Sequence, residues 1–244
     1  MTRAFVLMCT LGVLATPSLA APLMVGIHGG TSIPNLRDRG GNEISSGWST
    51  RVAPAAGMFL DYGLTGRLGL RAEVNYVSQG GKRDGMQPIP FDPTQFGAPA
   101  GTLLYANFKN VAKLDYLEIP VLAAWSAGGD GRIALVVGPY VGFLVSAKTV
   151  TSGQSAIFLD KAGTQIVAPA QDFAATTNNK SDLNTLNWGL QAGTSVSQPL
   201  GRGRVSLNLR GELGLANIQK DTAANGKNGT GTLAVVLGYG VPIR

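Results

Sequence analysis

The sequence predicts an all-β fold: an eight-stranded antiparallel up-and-down transmembrane β-barrel with short periplasmic turns and long extracellular loops. Three observations predict it. Segments alternate apolar and polar residues, connections alternate short and long, and aromatic side chains gather at the ends of the apolar faces.

Residues 67–77 carry the alternation most clearly. Leu68, Leu70, Ala72, Val74 and Tyr76 interleave with Arg67, Gly69, Arg71, Glu73 and Asn75. Successive side chains of a strand point to opposite faces, so one face is unbroken apolar surface and the other carries charge. In a soluble sandwich the apolar face would pack inward; in a membrane barrel it meets lipid and the charges line the interior. The pattern begins at 23–32, with Val25 and Ile27 against Gly26, His28 and Gly30, and recurs at 55–64, where Met58, Leu60 and Tyr62 oppose Gly57, Phe59 and Asp61. It returns at 115–126 around Leu117, Ile119 and Val121, and at 133–146 around Leu135, Val137 and Val141. The last three segments are 187–197, 204–216 and 232–243, with inward-phase Arg210 and Glu212 in the second of them. Eight segments of roughly 10 to 14 residues are each long enough to cross a hydrocarbon layer at a tilt, where about 9 to 11 suffice.

The connections supply an independent test. Thr65-Gly66, residues 127–131 and residues 199–203 are tight and contain glycine. Between them fall long connections at 33–50, 80–114, 147–186 and 217–231, which hold most of the Pro, Asn and Lys residues. Strict alternation of this kind matches a bacterial outer-membrane barrel with its short and long ends. On the apolar face, Tyr62, Trp125 and Tyr239 lie near the short-turn ends of their segments, and Tyr76 and Trp188 near the long-loop ends. Aromatic girdles at both lipid interfaces around an aliphatic band are the expected arrangement.

The N-terminus reads as an export signal. Arg3 is followed by an apolar stretch over 4–15, a break at Pro17 and the small-x-small pattern Ser18-Leu19-Ala20. Residues 1–20 are therefore expected to be a cleaved secretory signal peptide and residues 21–244 a single barrel domain in the outer membrane. The apolar run is shorter than the roughly 18 to 20 residues of a spanning helix. Cys9, the one cysteine, falls within it, so the mature chain is expected to hold no thiol, disulfide or Cys-based metal site. Charged residues make up only 14% of the chain and glycine is abundant, with 34 residues in no collagen period. Beyond residue 20 no apolar run is long enough for a spanning helix, which leaves a closed barrel as the way to satisfy every backbone group in lipid.

Arg71-Ala72-Glu73-Val74-Asn75-Tyr76 with Gly80 after it, then Tyr116-Leu117-Glu118-Ile119-Pro120, then Gly138-Pro139-Tyr140, stand in an order that resembles the PorT-like outer-membrane β-barrel family of Gram-negative bacteria. The resemblance covers essentially the mature chain. It implies an eight-stranded outer-membrane barrel and brings no catalytic residues with it. One departure is the terminus, Val241-Pro242-Ile243-Arg244, where barrel proteins often finish on an aromatic read by the insertion machinery.

Arg67, Arg71, Glu73, Glu118, Arg210 and Glu212 have the inward phase, and an eight-stranded barrel is just wide enough for side chains to fill. Opposite charges there should pair and plug the lumen, a structural network preferred over a proton or ion path. Pro54, Pro120, Pro139 and Pro242 fall in or at the ends of segments, and a closed barrel has no free edge for a missing donor. Bulges or register breaks are expected near Pro120 and Pro139.

The function that follows is a non-enzymatic surface protein, serving adhesion, recognition or envelope structure, or assisting transport. The alternative is a lipid-modifying outer-membrane enzyme, similar to a lipid A deacylase, using His28 with Ser32, Ser195 or Ser197. No spacing selects a nucleophile, and a lone histidine between glycines is more often structural. No G-x-S-x-G elbow, HExxH or phosphate loop occurs, so no catalytic residue, cofactor or metal is expected. The expected partners are outer-membrane lipid and lipopolysaccharide, the barrel insertion machinery and a loop ligand that the sequence does not identify. Arg37, Arg39, Lys82, Arg83, Lys109 and Lys113 fall in long loops, where they could meet phosphates or form a solvated surface. Without a basic stripe interleaved with aromatics, nucleic acid is not an expected partner.

Overall fold

A computed structural model describes residues 23–40, 42–127 and 132–243. The expected signal peptide, most of the 127–131 turn and Arg244 lie outside the described residues. Among the described residues eleven strands run antiparallel: β1 (Leu23–Asp38), β2 (Ala53–Gly63), β3 (Leu68–Ile89), β4 (Leu104–Ala127), β5 (Ile133–Ser152), β6 (Gln154–Phe158), β7 (Ile166–Asp172), β8 (Ala175–Asn178), β9 (Leu186–Leu200), β10 (Gly203–Gly214) and β11 (Asn228–Ile243). Eight of them form a ring in the order β1, β2, β3, β4, β5, β9, β10, β11. The ring closes where β1 pairs with β11 along its whole length, from Leu23 opposite Ile243 to Asp38 opposite Asn228.

The alternation in sequence becomes an inside and an outside. Leu70, Val74, Leu117, Val121, Leu135, Leu207, Val235 and Leu237 are all exposed around the outer wall. A soluble monomer rarely shows an apolar patch above a few hundred Å², and a band encircling the molecule is surface made for lipid. Arg71, Glu73, Asn75, Glu118, Gln191, Asn208, Arg210 and Glu212 are buried within. Phe59 crosses the interior beside Gly26, where a Cβ would lie 2.3 Å from its ring, so only glycine lets the ring lie flat on the wall.

Every ring strand except β10 exceeds its sequence-read bound at the long-loop end, whereas β10 stops at Gly214, two residues short of it. The segment 80–114, expected to be a loop, is mostly strand: β3 and β4 stay paired from Asn75 opposite Glu118 up to Ile89 opposite Leu104. Lys82, Arg83, Lys109 and Lys113 are therefore strand residues. Above the lipid band the outward residues turn polar, so an alternation recognised by its apolar half ends there although the strand continues. The segment 147–186 also holds structure, with the β6–β7 hairpin bridging to β4 at Tyr105 opposite Phe158, and β8 lying on the extension of β5.

The prolines act differently from expectation. Pairing of β3 with β4 lapses between Ala72–Val121 and Asn75–Glu118, beside Pro120, and resumes in the same register. Pairing of β4 with β5 lapses between Pro120–Tyr140 and Ala123–Val137, beside Pro139, again without a shift. The register shift lies instead at Asp115/Tyr116, where β5 holds Val145 as an extra residue. A missing donor removes a bond; it does not add a residue. Pro54 and Pro242 sit at the ends of β2 and β11, opposite Thr31 and Met24.

Candidate functional site

The lumen is built in layers. Nearest the short turns, Arg71 on β3 forks onto Asp61 on β2, with Nε 2.5 Å from Oδ1 and Nη2 2.7 Å from Oδ2. Its guanidinium lies 4.5 Å over the Phe59 ring. In the next layer Arg210 on β10 donates to both oxygens of Glu73, one bond measuring 2.7 Å. The Asn75 amide donates to Glu73 Oε2 at 2.8 Å. That bond turns Asn75 Oδ1 toward His28, so His28 Nε2, 2.9 Å away, must carry the proton and donate. Gly57 stands between the two strands that present this pair, and a Cβ there would meet Asn75 Oδ1 at 2.1 Å.

A third layer holds carboxylates on amides. Gln79 Nε2 donates to Glu118 Oε1 at 3.2 Å and to Glu212 Oε2 at 3.0 Å, while its Oε1 accepts from Thr232. Gln191 Nε2 donates to Glu212 Oε1 at 3.0 Å. Above it Leu36, Leu114, Tyr116, Leu144, Leu183 and Ile218 form an apolar cap. The lumen is closed in succession by ion pairs, amides and hydrocarbon.

The network expected from sequence is thus divided. Arg71, Glu73 and Arg210 belong to ion pairs. Glu118 and Glu212 are buried at a different level, where amide groups hold them in place of an arginine. Arg67 lies outside the network: it is exposed at the turn before β3 and makes no side-chain bond among those described. Phase places it inward, but the strand has not yet begun. Asp61, Asn75, Gln79, Gln191 and Asn208 complete the network, and each has the inward phase of its strand; the four amides carry no charge to mark them, and phase is the signal that finds all five. Tyr62, Tyr76, Trp125, Trp188 and Tyr239 all point outward and are between 39% and 50% exposed. His28 is buried against Phe59, ring centroids 5.9 Å apart. Ser32 donates to the Ala53 carbonyl, and Ser197 to that of Arg132.

At the long-loop end the molecule has a second core. Ile89, Leu104, Ala106, Phe108, Ile157 and Ala168 are buried together beyond the barrel, with Phe96 and Phe173 packed against them. Phe108 and Phe173 stack at 4.7 Å, and Phe91 stacks on both Phe96 and Phe173 at 6.3 Å. The turn at its edge is fixed locally, Asp92 capping Thr94 and Gly97 taking the left-handed conformation at φ 74°. Tyr105 donates to Glu43 at 2.9 Å, and burial with that bond pushes its phenol up to about 12. Arg83 stacks on Trp48 at 4.3 Å and donates to the Ile44 carbonyl; burial lowers it to about 10. These contacts tie the 39–52 connection to the β3–β4 extension and make one platform.

Three solved outer-membrane proteins are similar in fold. Neisserial surface protein A aligns with 10% identity over 91% of this chain and 97% of its own, at a TM-score of 0.42. Ail, the attachment invasion locus protein of Yersinia pestis, aligns with 10% identity over 91% and 99%, at 0.40. The outer membrane protease OmpT from Escherichia coli aligns with 9% identity over 94% and 100%, at 0.39. No curated protein matches the sequence. The family described as outer membrane protein beta-barrel domain matches residues 17–220, and with the ring closed and its apolar band outward, the chain belongs to that family of outer-membrane barrels.

Proposed function

We propose that this protein is a non-enzymatic barrel whose lumen is structural and whose platform is the working surface, exposed outside the cell for adhesion or recognition. The observation that carries the reading is the second core. Loops that only connect strands gain nothing from burying Leu104, Phe108 and Ile157, whereas a surface that must keep its shape does. The short connections at one end of the ring and the long ones at the other support an orientation with the short turns in the periplasm and the platform outward. The ordered motifs around Arg71, Tyr116 and Gly138 support a PorT-like branch of the family.

The competing enzyme reading requires His28 to activate a serine. Its Nε2 is engaged by Asn75, and among the described residues no serine hydroxyl is bonded to its ring. Lipid A acylation compared between cells bearing the wild-type protein and His28→Ala decides the matter. The expected result is identical acylation patterns; an activity present in the wild type and lost in the variant would overturn the proposal.

A further inference from the structure

The short-turn end of the lumen is left open. Below the Arg71–Asp61 pair lies a cavity of about 240 Å³ walled by all eight strands of the ring. Arg71 and Phe59 form its floor, and the Glu73–Arg210 layer closes the lumen behind them, so the cavity is blind. Three hairpins bring an arginine to this end in the inward phase: Arg67 before β3, Arg132 before β5 and Arg204 in β10. Arg67, Arg71 and Arg204 line the cavity, and Asp61, the one carboxylate among the lining residues, is already spanned by both arms of Arg71. Arg132 and Arg204 make further interactions of their own.

The rest of the wall is apolar except for Tyr62 and four serines. Ser126, Ser195, Ser197 and Ser206 line it, the last three buried. A guanidinium offers only donors, in a fork that fits two oxygens of an oxyanion, and a hydroxyl turns to donate where it is needed. Apolar walls concentrate the field of the arginines in the cavity. The volume lies below the roughly 300 Å³ at which sites for drug-sized ligands begin, so the fitting guest is small and negative.

We propose that this vestibule binds an oxyanion of the phosphate class, with Arg67 and Arg204 as charged donors and the hydroxyls of Ser126, Ser195 and Ser206 completing the shell. The proposal is independent of what the platform binds. The oxyanion has two possible sources, free phosphate on the short-turn side or the headgroup of a phospholipid in the adjoining leaflet.

Equilibrium dialysis of labelled inorganic phosphate against the refolded protein in zwitterionic detergent tests it, each variant first showing the heat-modifiable gel mobility of a closed barrel. Saturable, salt-sensitive binding at one site is expected, weakened about tenfold by Arg67→Gln or Arg204→Gln through loss of a charge-assisted bond. Arg37→Gln, at the opposite end, should leave it unchanged. Displacement of the phosphate by dihexanoyl phosphatidylglycerol identifies the headgroup as a source, and its failure to displace identifies the free ion; either result is compatible with the site. Absence of saturable binding, or binding indifferent to both arginine substitutions, would overturn it.

Discussion

Glu73 shows how one buried side chain couples four strands. Its carboxylate is fully enclosed, takes two bonds from Arg210 on β10 and one from Asn75 on its own strand, and lies 3.8 Å from Arg71. Its partners are fixed in turn: Asn75 holds His28, and Arg71 holds Asp61. Removing one member of a buried pair strands the other, at about 3 to 5 kcal/mol, whereas replacing both by apolar groups is often close to neutral. Glu73→Gln should therefore lower the urea midpoint for refolding by far more than the double variant Glu73→Leu with Arg210→Met. Equal losses in the two proteins would show that the pair does not act as a unit. The inward phase of Glu73 and Arg210 was legible from the alternation alone. Their height along the axis was not, because strand tilt and shear decide which inward residues share a level. That is why Glu118 and Glu212 lie among amides and Arg67 falls at the rim.

At the scale of elements, the β3–β4 hairpin separates what lipid selects from what a surface protein builds. Up to Tyr76 and Leu117 the outward face is apolar; beyond, Lys82, Asp84, Lys109 and Lys113 take those positions while pairing continues in the same register to Ile89 and Leu104. The exposed Lys109–Asp84 pair, at 3.9 Å, adds little in water. Burial of Phe108, Leu104 and Ile157 holds the extension together. Phe108→Ala should cost the platform about 3 to 5 kcal/mol of packing, including the stack on Phe173. Because the barrel has its own network, the loss should be local. Limited trypsin digestion is expected to cut after Lys161 much faster in the variant while heat-modifiable mobility stays normal. A variant that lost both together would show platform and barrel to be one cooperative unit. The extension was missed in sequence for a physical reason: a strand that leaves lipid keeps its period but loses the apolar half of its signal.

The whole molecule is a closed cylinder whose interior changes chemistry from one end to the other. A basic vestibule gives way to the Arg71–Asp61 and Glu73–Arg210 pairs, then to Gln79 between Glu118 and Glu212, then to the cap of Leu114, Tyr116 and Ile218. An ion entering from the short-turn end would have to separate two bidentate pairs and then pass through hydrocarbon. In a low-dielectric interior the pairs are screened far less than at a surface, and the cap offers an ion no ligand in place of its water. The refolded protein in a planar bilayer should therefore show no sustained ohmic conductance at moderate voltage, under conditions in which a large porin in the same membrane conducts. Stable steps proportional to voltage would mean that the layers part together on the recording timescale, and the lumen would then have to be treated as a path.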